Sequence, residues 1–394
     1  MKFITFDKKR SIWSSLVSLF IFLYLLSSFV SISASQIFVF LTIIFLIVFL
    51  VREKQKLAFP SFFWSIIGYA FFSLLSSTFS VNPEISFADS RELLLFLIVP
   101  LVYIGLSRKE DITMANFALL ASASLSSLYS IFYFFFRASP GERVSGFMGH
   151  YMTQAGLLLL FSCLALSITV FRRNKTRFLW AGGLLLAMVA MSLTLTRSAW
   201  VGLVVAASLI LLLYKPKTLV IIPVLAGLFF LLSPQNMKRR ALSIFSLKSY
   251  SNKQRIQYIK AGIEIIKEFP LLGTGPDTVD MVFQDPKYEL SADARRNVHL
   301  HNNLIQIAAE RGIPTLLLWL SFMVWTFVSL IKLLRNKDPS LHPLTVASMA
   351  SVAALFSAGL FEYNFADSEI TMLFLYLITL PFSLSRGGRK EPQK

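Results

Sequence analysis

Apolar runs of about 17–25 residues, the length that crosses a bilayer as a helix, recur along this chain from end to end. No other feature constrains the fold so strongly. Inside lipid, each backbone N–H and C=O must find its partner within the segment, so the runs read as helices. The alternating pattern of a membrane barrel is absent. With 55% hydrophobic and 15% charged residues, a soluble domain is excluded. The fold class read from this is all-α: a polytopic membrane protein of about 12 transmembrane helices. The spans fall near 12–30, 36–51, 61–79, 92–106, 113–136, 151–171, 178–195, 199–214, 218–233, 314–334, 343–360 and 370–384.

The opening MKFITFDKKR imitates a signal peptide. It reads as leading into a retained first helix, because no small-x-small cleavage site follows and a second span begins almost at once. Twelve crossings put both termini on one side. The short segments on that side hold 22 of the 38 Lys and Arg residues. The positive-inside rule therefore makes it cytoplasmic. A net charge of +17 then speaks of cytoplasmic loops and anionic lipid, not of nucleic acid, for which no motif is present. Cys163 stands alone inside an apolar run, so the chain has no internal disulfide and no cysteine metal site.

The remaining cations lie mostly in one long loop, 233–302. Long loops escape the positive-inside rule. Contact with anionic head groups or with a phosphate-rich ligand would account for the excess. Within the loop, residues 252–268 (NKQRIQYIKAGIEIIKE) place Ile256, Ile259, Ile263 and Ile266 on one stripe, with lysines off it. That spacing predicts an amphipathic helix at the membrane interface. LLGTGPD follows as a tight turn. No internal repeat divides the chain, so residues 1–394 read as a single membrane domain with one periplasmic loop.

The best-equipped polar stretch is 295–314, RRNVHLHNNLIQIAAERGIP. A short helix is predicted over 302–311, stopped by Gly312 and Pro314. A polar cluster delivered to the mouth of a membrane bundle is a functional site by default. His299 and His301 lie two apart, on one face if the chain there is extended. A histidine titrates near neutrality and can take a proton from a hydroxyl. Asp367 or Glu369, in FEYNFADSE, would raise its basicity. His150 is a weaker candidate, and His342 reads as structural. A metal is not expected: there is no third ligand at suitable spacing, no HExxH and no DxD. No cofactor is implied. Arg143 in GERVSGFMGH, Arg197 in TLTRSAW and Arg255 all fall at the outer membrane boundary. Arginine offers planar paired donors to phosphate and stays charged, so several around one cavity would hold a diphosphate. Snorkelling to head groups is the alternative.

RVSGFMGH, TLTRSAW, PLLGTGPD, HLHNNLIQIAAERGIP and FEYNFADSE, in this order and spacing, resemble the O-antigen ligase and Wzy-type polymerase superfamily. The likeness runs from about residue 140 to the end of the chain. It implies a C-type glycosyltransferase-like bundle, metal-independent and inverting, in the bacterial inner membrane. The implied donor is a glycan on undecaprenyl diphosphate, and the implied active site faces the periplasm. His301 is then the expected base, with His299 as its alternate. Arg143, Arg197 and Arg255 are the expected diphosphate binders. Arg295, Arg296 and Arg311 join that candidate set; Arg311 stands where the family often has a non-basic residue, and Glu310 is an alternative partner for it. A ligase with lipid A–core as acceptor is preferred, because the basic outer loop suits a phosphorylated acceptor. A polymerase or an oligosaccharyltransferase is the alternative. A transporter of lipid-linked glycan is the third reading, disfavoured because the polar groups gather at the outer edge rather than the midplane.

Overall fold

A computed structural model describes residues 11–139, 141–244, 246, 249–336 and 338–388. The basic N-terminal decapeptide and the last six residues, both used in the charge argument, lie outside the described residues. Among the described residues the architecture is all-helical. In chain order the helices are α1 (Ile12–Ser27), α2 (Ile32–Arg52), α3 (Phe63–Thr78), α4 (Pro83–Asp89), α5 (Ile98–Gly105), α6 (Lys109–Phe136), α7 (Tyr151–Phe171), α8 (Thr176–Leu193) and α9 (Arg197–Tyr214). They continue with α10 (Ile221–Leu232), α11 (Gln235–Leu242), α12 (Tyr250–Glu268), α13 (Val279–Val282), α14 (Asn303–Leu334), α15 (Leu341–Gly359) and α16 (Ser368–Gly388).

Every expected span coincides with helix, but eight of these helices are long and apolar enough to cross a membrane. The helices α1 and α3 and the stretch Pro216–Leu232 are apolar but shorter. The fourth expected span is broken: a 3-10 run, Ser90–Leu97, feeds the short α5. The multi-pass architecture thus stands, while the number twelve rests on the sequence reading.

Helix α15 is the centre of the bundle, packing against α7, α9, α14 and α16. Its sequence explains why. Small residues let backbones approach where lipid provides no hydrophobic drive, and Ala347, Ala350, Ala354 and Ala358 are all buried. Facing them, a Cβ on Gly202 of α9 would stand 3.1 Å from the Ala354 carbonyl. The outward faces are apolar and exposed, as at Phe40, Phe71, Phe135 and Leu232, a coat that suits acyl chains.

The 233–302 region builds its own small core, with Tyr258, Ala261, Ile265, Phe283 and Leu300 buried together. A helix is present over this stretch as α12, and the face packed inward lies beside the isoleucine stripe. Tyr258, Ala261, Gly262 and Ile265 turn inward, while Ile256 and Ile263 stay exposed. Gly262 explains the choice, since a Cβ there would meet Ile305 of α14 at 2.2 Å. Only the side without a side chain admits the neighbouring helix.

Helix α14 breaks where the sequence places the stop. Gly312 has φ 81° and ψ 166°. A break in a membrane helix frees carbonyls that need partners. The LLGTG segment supplies them: Thr274 N–H donates to Ala309 O (2.9 Å) and Gly275 N–H to Glu310 O (2.8 Å). The residues ahead of the break, 303–311, become a separate short helix aimed at the polar end of the bundle.

Candidate active site

That short helix begins with the two asparagines of HLHNN. Asn302 caps it, its Oδ1 accepting from the N–H groups of Leu304 and Ile305, a contribution of about 1 kcal/mol. Its Nδ2 donates to Leu360 O at 2.9 Å. Asn303 donates to Asn364 Oδ1 at 2.8 Å and accepts from Phe365 N–H. Both residues thereby tie the histidine segment to the 360–367 loop between α15 and α16.

The tie brings Glu362 to His301, with Nδ1 and Oε1 2.8 Å apart. The expected carboxylates were Asp367 and Glu369; the structure corrects this. Asp367 instead accepts from Thr153 Oγ1 at 2.5 Å. On the other side of the ring, Nε2 of His301 faces Asn297 Nδ2 at 2.6 Å. With the Asn297 amide donating, one tautomer satisfies both contacts: Nδ1 carries the proton toward Glu362 and Nε2 keeps its lone pair. His301 itself has φ 52°, a left-handed backbone that costs of order 1–3 kcal/mol in a residue other than glycine. Burial pushes Glu362 toward protonation, but His301 and Arg255 prevail and hold its carboxyl below the usual range. His299 lies in the extended stretch before this turn, its ring 5.3 Å from that of Tyr363. Burial, then neighbouring His301, lowers its pKa.

Four arginines gather beside this pair. Arg143 and Arg240 both donate to the Leu195 carbonyl, at 3.3 Å and 3.2 Å. Arg143 also grips Thr194 O and Thr196 Oγ1 and lies 3.4 Å over the Tyr151 ring. Arg197 and Arg255 share a cavity of about 230 Å³ with His301, Ser198 and Asn252, its apolar wall including Val201, Ile244, Ile256, Ile259 and Phe361. Arg255 stands 4.0 Å from Glu362. Burial lowers the Arg143 pKa to about 10, opposed by Tyr151 and reinforced by Arg240. Burial also lowers Arg255, against Glu362 and with Arg240. The guanidinium groups still stay protonated at neutral pH. Cations crowded and half-desolvated in this way are short of negative charge, and an anion would relieve them.

The arginines differ in what they have free. Arg197 spends its terminal nitrogens on Ser243, Ser251 Oγ and Asn252 Oδ1 at 2.7–3.0 Å. It pins the start of α12 over the cavity. Among the described residues, Arg255 makes no hydrogen bond, so its donors are available. Arg240, in the MKRRA run, was not singled out from sequence. Nothing in its spacing marks it, because it meets Arg143 only through the Leu195 carbonyl.

Other candidates lie elsewhere. Arg311 is buried, donating to Glu310 Oε2 (2.8 Å), Tyr363 Oη (3.0 Å) and Asp89 Oδ2 (2.7 Å). Of its two expected roles, this geometry supports the pairing with Glu310. Arg295 donates to Leu290 O and Arg296 is exposed; neither lines the arginine cavity. His150 stacks on Tyr151. His342 packs on Phe171, away from the site.

A second cavity of about 330 Å³ opens on the far side of Glu362 and Ser198, with His150, His299 and several carboxylates in its wall. Ser198 lines both cavities.

Residues 182–320 match the family model described as O-antigen ligase. This places that stretch in the O-antigen ligase and Wzy-type superfamily. It spans TLTRSAW, LLGTGPD and the histidine segment; GERVSGFMGH and FEYNFADSE lie beyond it. The family indicates a ligase- or polymerase-type enzyme, whose substrates are in general a lipid-linked glycan and a glycan acceptor. No curated protein matches the chain.

Proposed function

We propose that this chain is an O-antigen ligase-type glycosyltransferase, moving a glycan from undecaprenyl diphosphate to a lipid A–core acceptor at the periplasmic face of the inner membrane. The observation that carries the reading is the joining of Arg197, Arg255 and His301 in one cavity whose remaining wall is mainly apolar. A polyprenyl diphosphate needs that combination: cations for the diphosphate and apolar walls for the first isoprene units.

In the proposed reaction the diphosphate is already a leaving group. Fixed guanidinium groups in a poorly hydrated site stabilise the charge that builds on it. Arg255, whose donors are free, binds first; Arg197 holds the loop in place and can exchange its hydroxyl partners for phosphate oxygens. His301 takes the acceptor proton at Nε2 once Asn297 yields its place, and Glu362 stabilises the imidazolium through Nδ1. Attack from the face opposite the diphosphate inverts the anomeric centre. None of these steps assigns a role to a metal or cofactor.

The basic excess of the 233–302 region supports a phosphorylated acceptor, and so a ligase over a polymerase. The test is purified enzyme with lipid-linked glycan, offered lipid A–core or a second lipid-linked glycan. Transfer to lipid A–core, lost by about 10²–10⁴-fold in His301→Ala with folding unchanged, is the expected outcome. Chain extension on the lipid carrier would make it a polymerase. Near-normal transfer by His301→Ala would remove the histidine from the mechanism.

A further inference from the structure

The second cavity has the opposite electrostatic character to the first. Six carboxyl groups line it: Asp89, Glu92, Asp277, Glu310, Glu362 and Asp367. Its volume is within the ~300–1,000 Å³ of small-molecule sites. Arg311 occupies Asp89 and Glu310 from behind, and His301 occupies one oxygen of Glu362. Among the described residues, Glu92 and Asp277 make neither a hydrogen bond nor an ion pair. Two buried atoms of wall residues also lack a hydrogen-bond partner: Nδ1 of His299 and Oε2 of Glu362. Glu362 is only 8% exposed, and Arg255, at 4.0 Å from that oxygen, is beyond hydrogen-bond reach. Those two atoms are closed to solvent, but with Glu92 and Asp277 unpaired the wall is short of donors and fits a ligand rich in hydroxyl or amine groups.

We propose that this cavity is the acceptor subsite and that it takes a neutral or amino-bearing sugar residue while excluding one that carries phosphate or carboxylate. The inference rests on the glycosyltransferase reading and deepens it. The cavity meets the arginine cavity at Ser198, with the His301–Glu362 pair between them. His301 lines the arginine cavity and not this one, so an acceptor hydroxyl seated on the acidic side reaches Nε2 past Ser198, where the two cavities meet. Carboxyl groups and a neutral imidazole accept from sugar hydroxyls, and Tyr363 offers a ring to a sugar face. An ammonium gains charge pairing as well. Burial, then Asp89, holds the Asp277 carboxyl above its ordinary range; burial and Glu369 do the same to Asp367. Such groups favour a bound cation and disfavour an anion. Phosphates elsewhere on the acceptor are left to the basic outer region, so the sugar that is glycosylated and the sugars that bear phosphate are different residues.

The experiment uses the full chain in nanodiscs without donor. Four short oligosaccharides, ending in glucose, glucosamine, glucuronate or glucose 6-phosphate, are titrated and their affinities compared. The neutral and amino probes are expected to bind at least about tenfold more tightly than the anionic ones, since like charges brought together are strongly penalised. Glu92→Gln and Asp277→Asn, each checked by thermal melting, are expected to narrow that gap. Equal or tighter binding of the anionic probes by the wild-type protein overturns the proposal, whether or not the variants fold. So does a gap unchanged in folded variants. A parallel transfer assay separates the two claims. Selective binding without transfer overturns the glycosyltransferase reading alone; transfer with unselective binding overturns the subsite alone.

Discussion

Besides the oxygen it turns to the acceptor cavity, Glu362 acts on the proposed chemistry through His301, and this positioning role has two separable consequences. Its carboxylate fixes which imidazole nitrogen holds the proton. Glu362→Gln therefore lowers kcat, by up to the ~10²–10⁴-fold that general-base catalysis supplies, and leaves donor KM nearly unchanged. The second consequence concerns stability. The folded carboxyl is held below its ordinary value of 4.5 despite burial, because His301 and Arg255 favour the ionised form. A depressed carboxyl contributes stability that is fully present above the ordinary value and is lost as pH falls through the folded one. Wild type should melt above Glu362→Gln at pH 7, and the gap should close as pH falls below 4.5 and through the lower folded value. A gap that is constant with pH would mean the substitution acts through packing alone. From sequence, His301 stood out because so few polar groups interrupt the greasy pattern. Its partner did not, since choosing among Glu362, Asp367 and Glu369 depends on how a loop 61 residues away folds over the helix start.

At the level of elements, the broken helix α14 decides where the histidines go. The stop was readable as RGIP, and a glycine and a proline two residues apart admit few other meanings. What could not be read was the partner that makes the break tolerable. Gly312 lies against LLGTG so closely that a Cβ would stand 2.0 Å from Leu271 O, in a backbone region open mainly to glycine. Gly312→Ala should cost at least about 1–3 kcal/mol from the backbone alone. It should also abolish transfer by shifting the 303–311 helix, and with it His301. Thermal melting and the transfer assay check this together; a variant that melts normally and transfers normally would show that the break does not position the site. The inward face of α12 has the same origin. Periodicity finds an isoleucine stripe, but Gly262 marks the side on which α14 approaches, and a lone glycine in a helix carries no sign of what it meets. The acidic cavity was the least readable feature. Its carboxylates come from α4, the 3-10 run, the 277 turn, α14 and the 360–367 loop, and only tertiary structure makes them neighbours.

For the whole molecule, sidedness depends on the parity of crossings, and parity depends on the broken fourth segment. The 3-10 run and α5 have eight residues each; at their respective rises they extend about 28 Å together, close to the ~30 Å hydrocarbon core. The 3-10 run is apolar only over 93–97, after Ser90, Arg91 and Glu92, and Ile98–Gly105 is buried among neighbours, so the pair can cross with its charged end at the boundary and its shorter helix away from lipid. If it crosses, four spans separate Gln55 from Asn174 and the two share a side. If it does not, three separate them and they face opposite ways. The basic groups around each, Arg52, Lys54 and Lys56 against Arg172, Arg173 and Lys175, favour a shared cytoplasmic side. The single cysteine, Cys163, is buried and can be changed to serine to give a clean background. Single cysteines at Gln55, Asn174 and Ala292 then report position through a membrane-impermeant maleimide applied to intact cells with a permeabilised outer membrane. The expected result is labelling at 292 alone, with 55 and 174 labelled only after detergent. Labelling at 55 without 174 would remove the fourth crossing. Labelling at 174 without 292 would turn the arginine cavity toward the cytoplasm, where a periplasmic acceptor could not reach it.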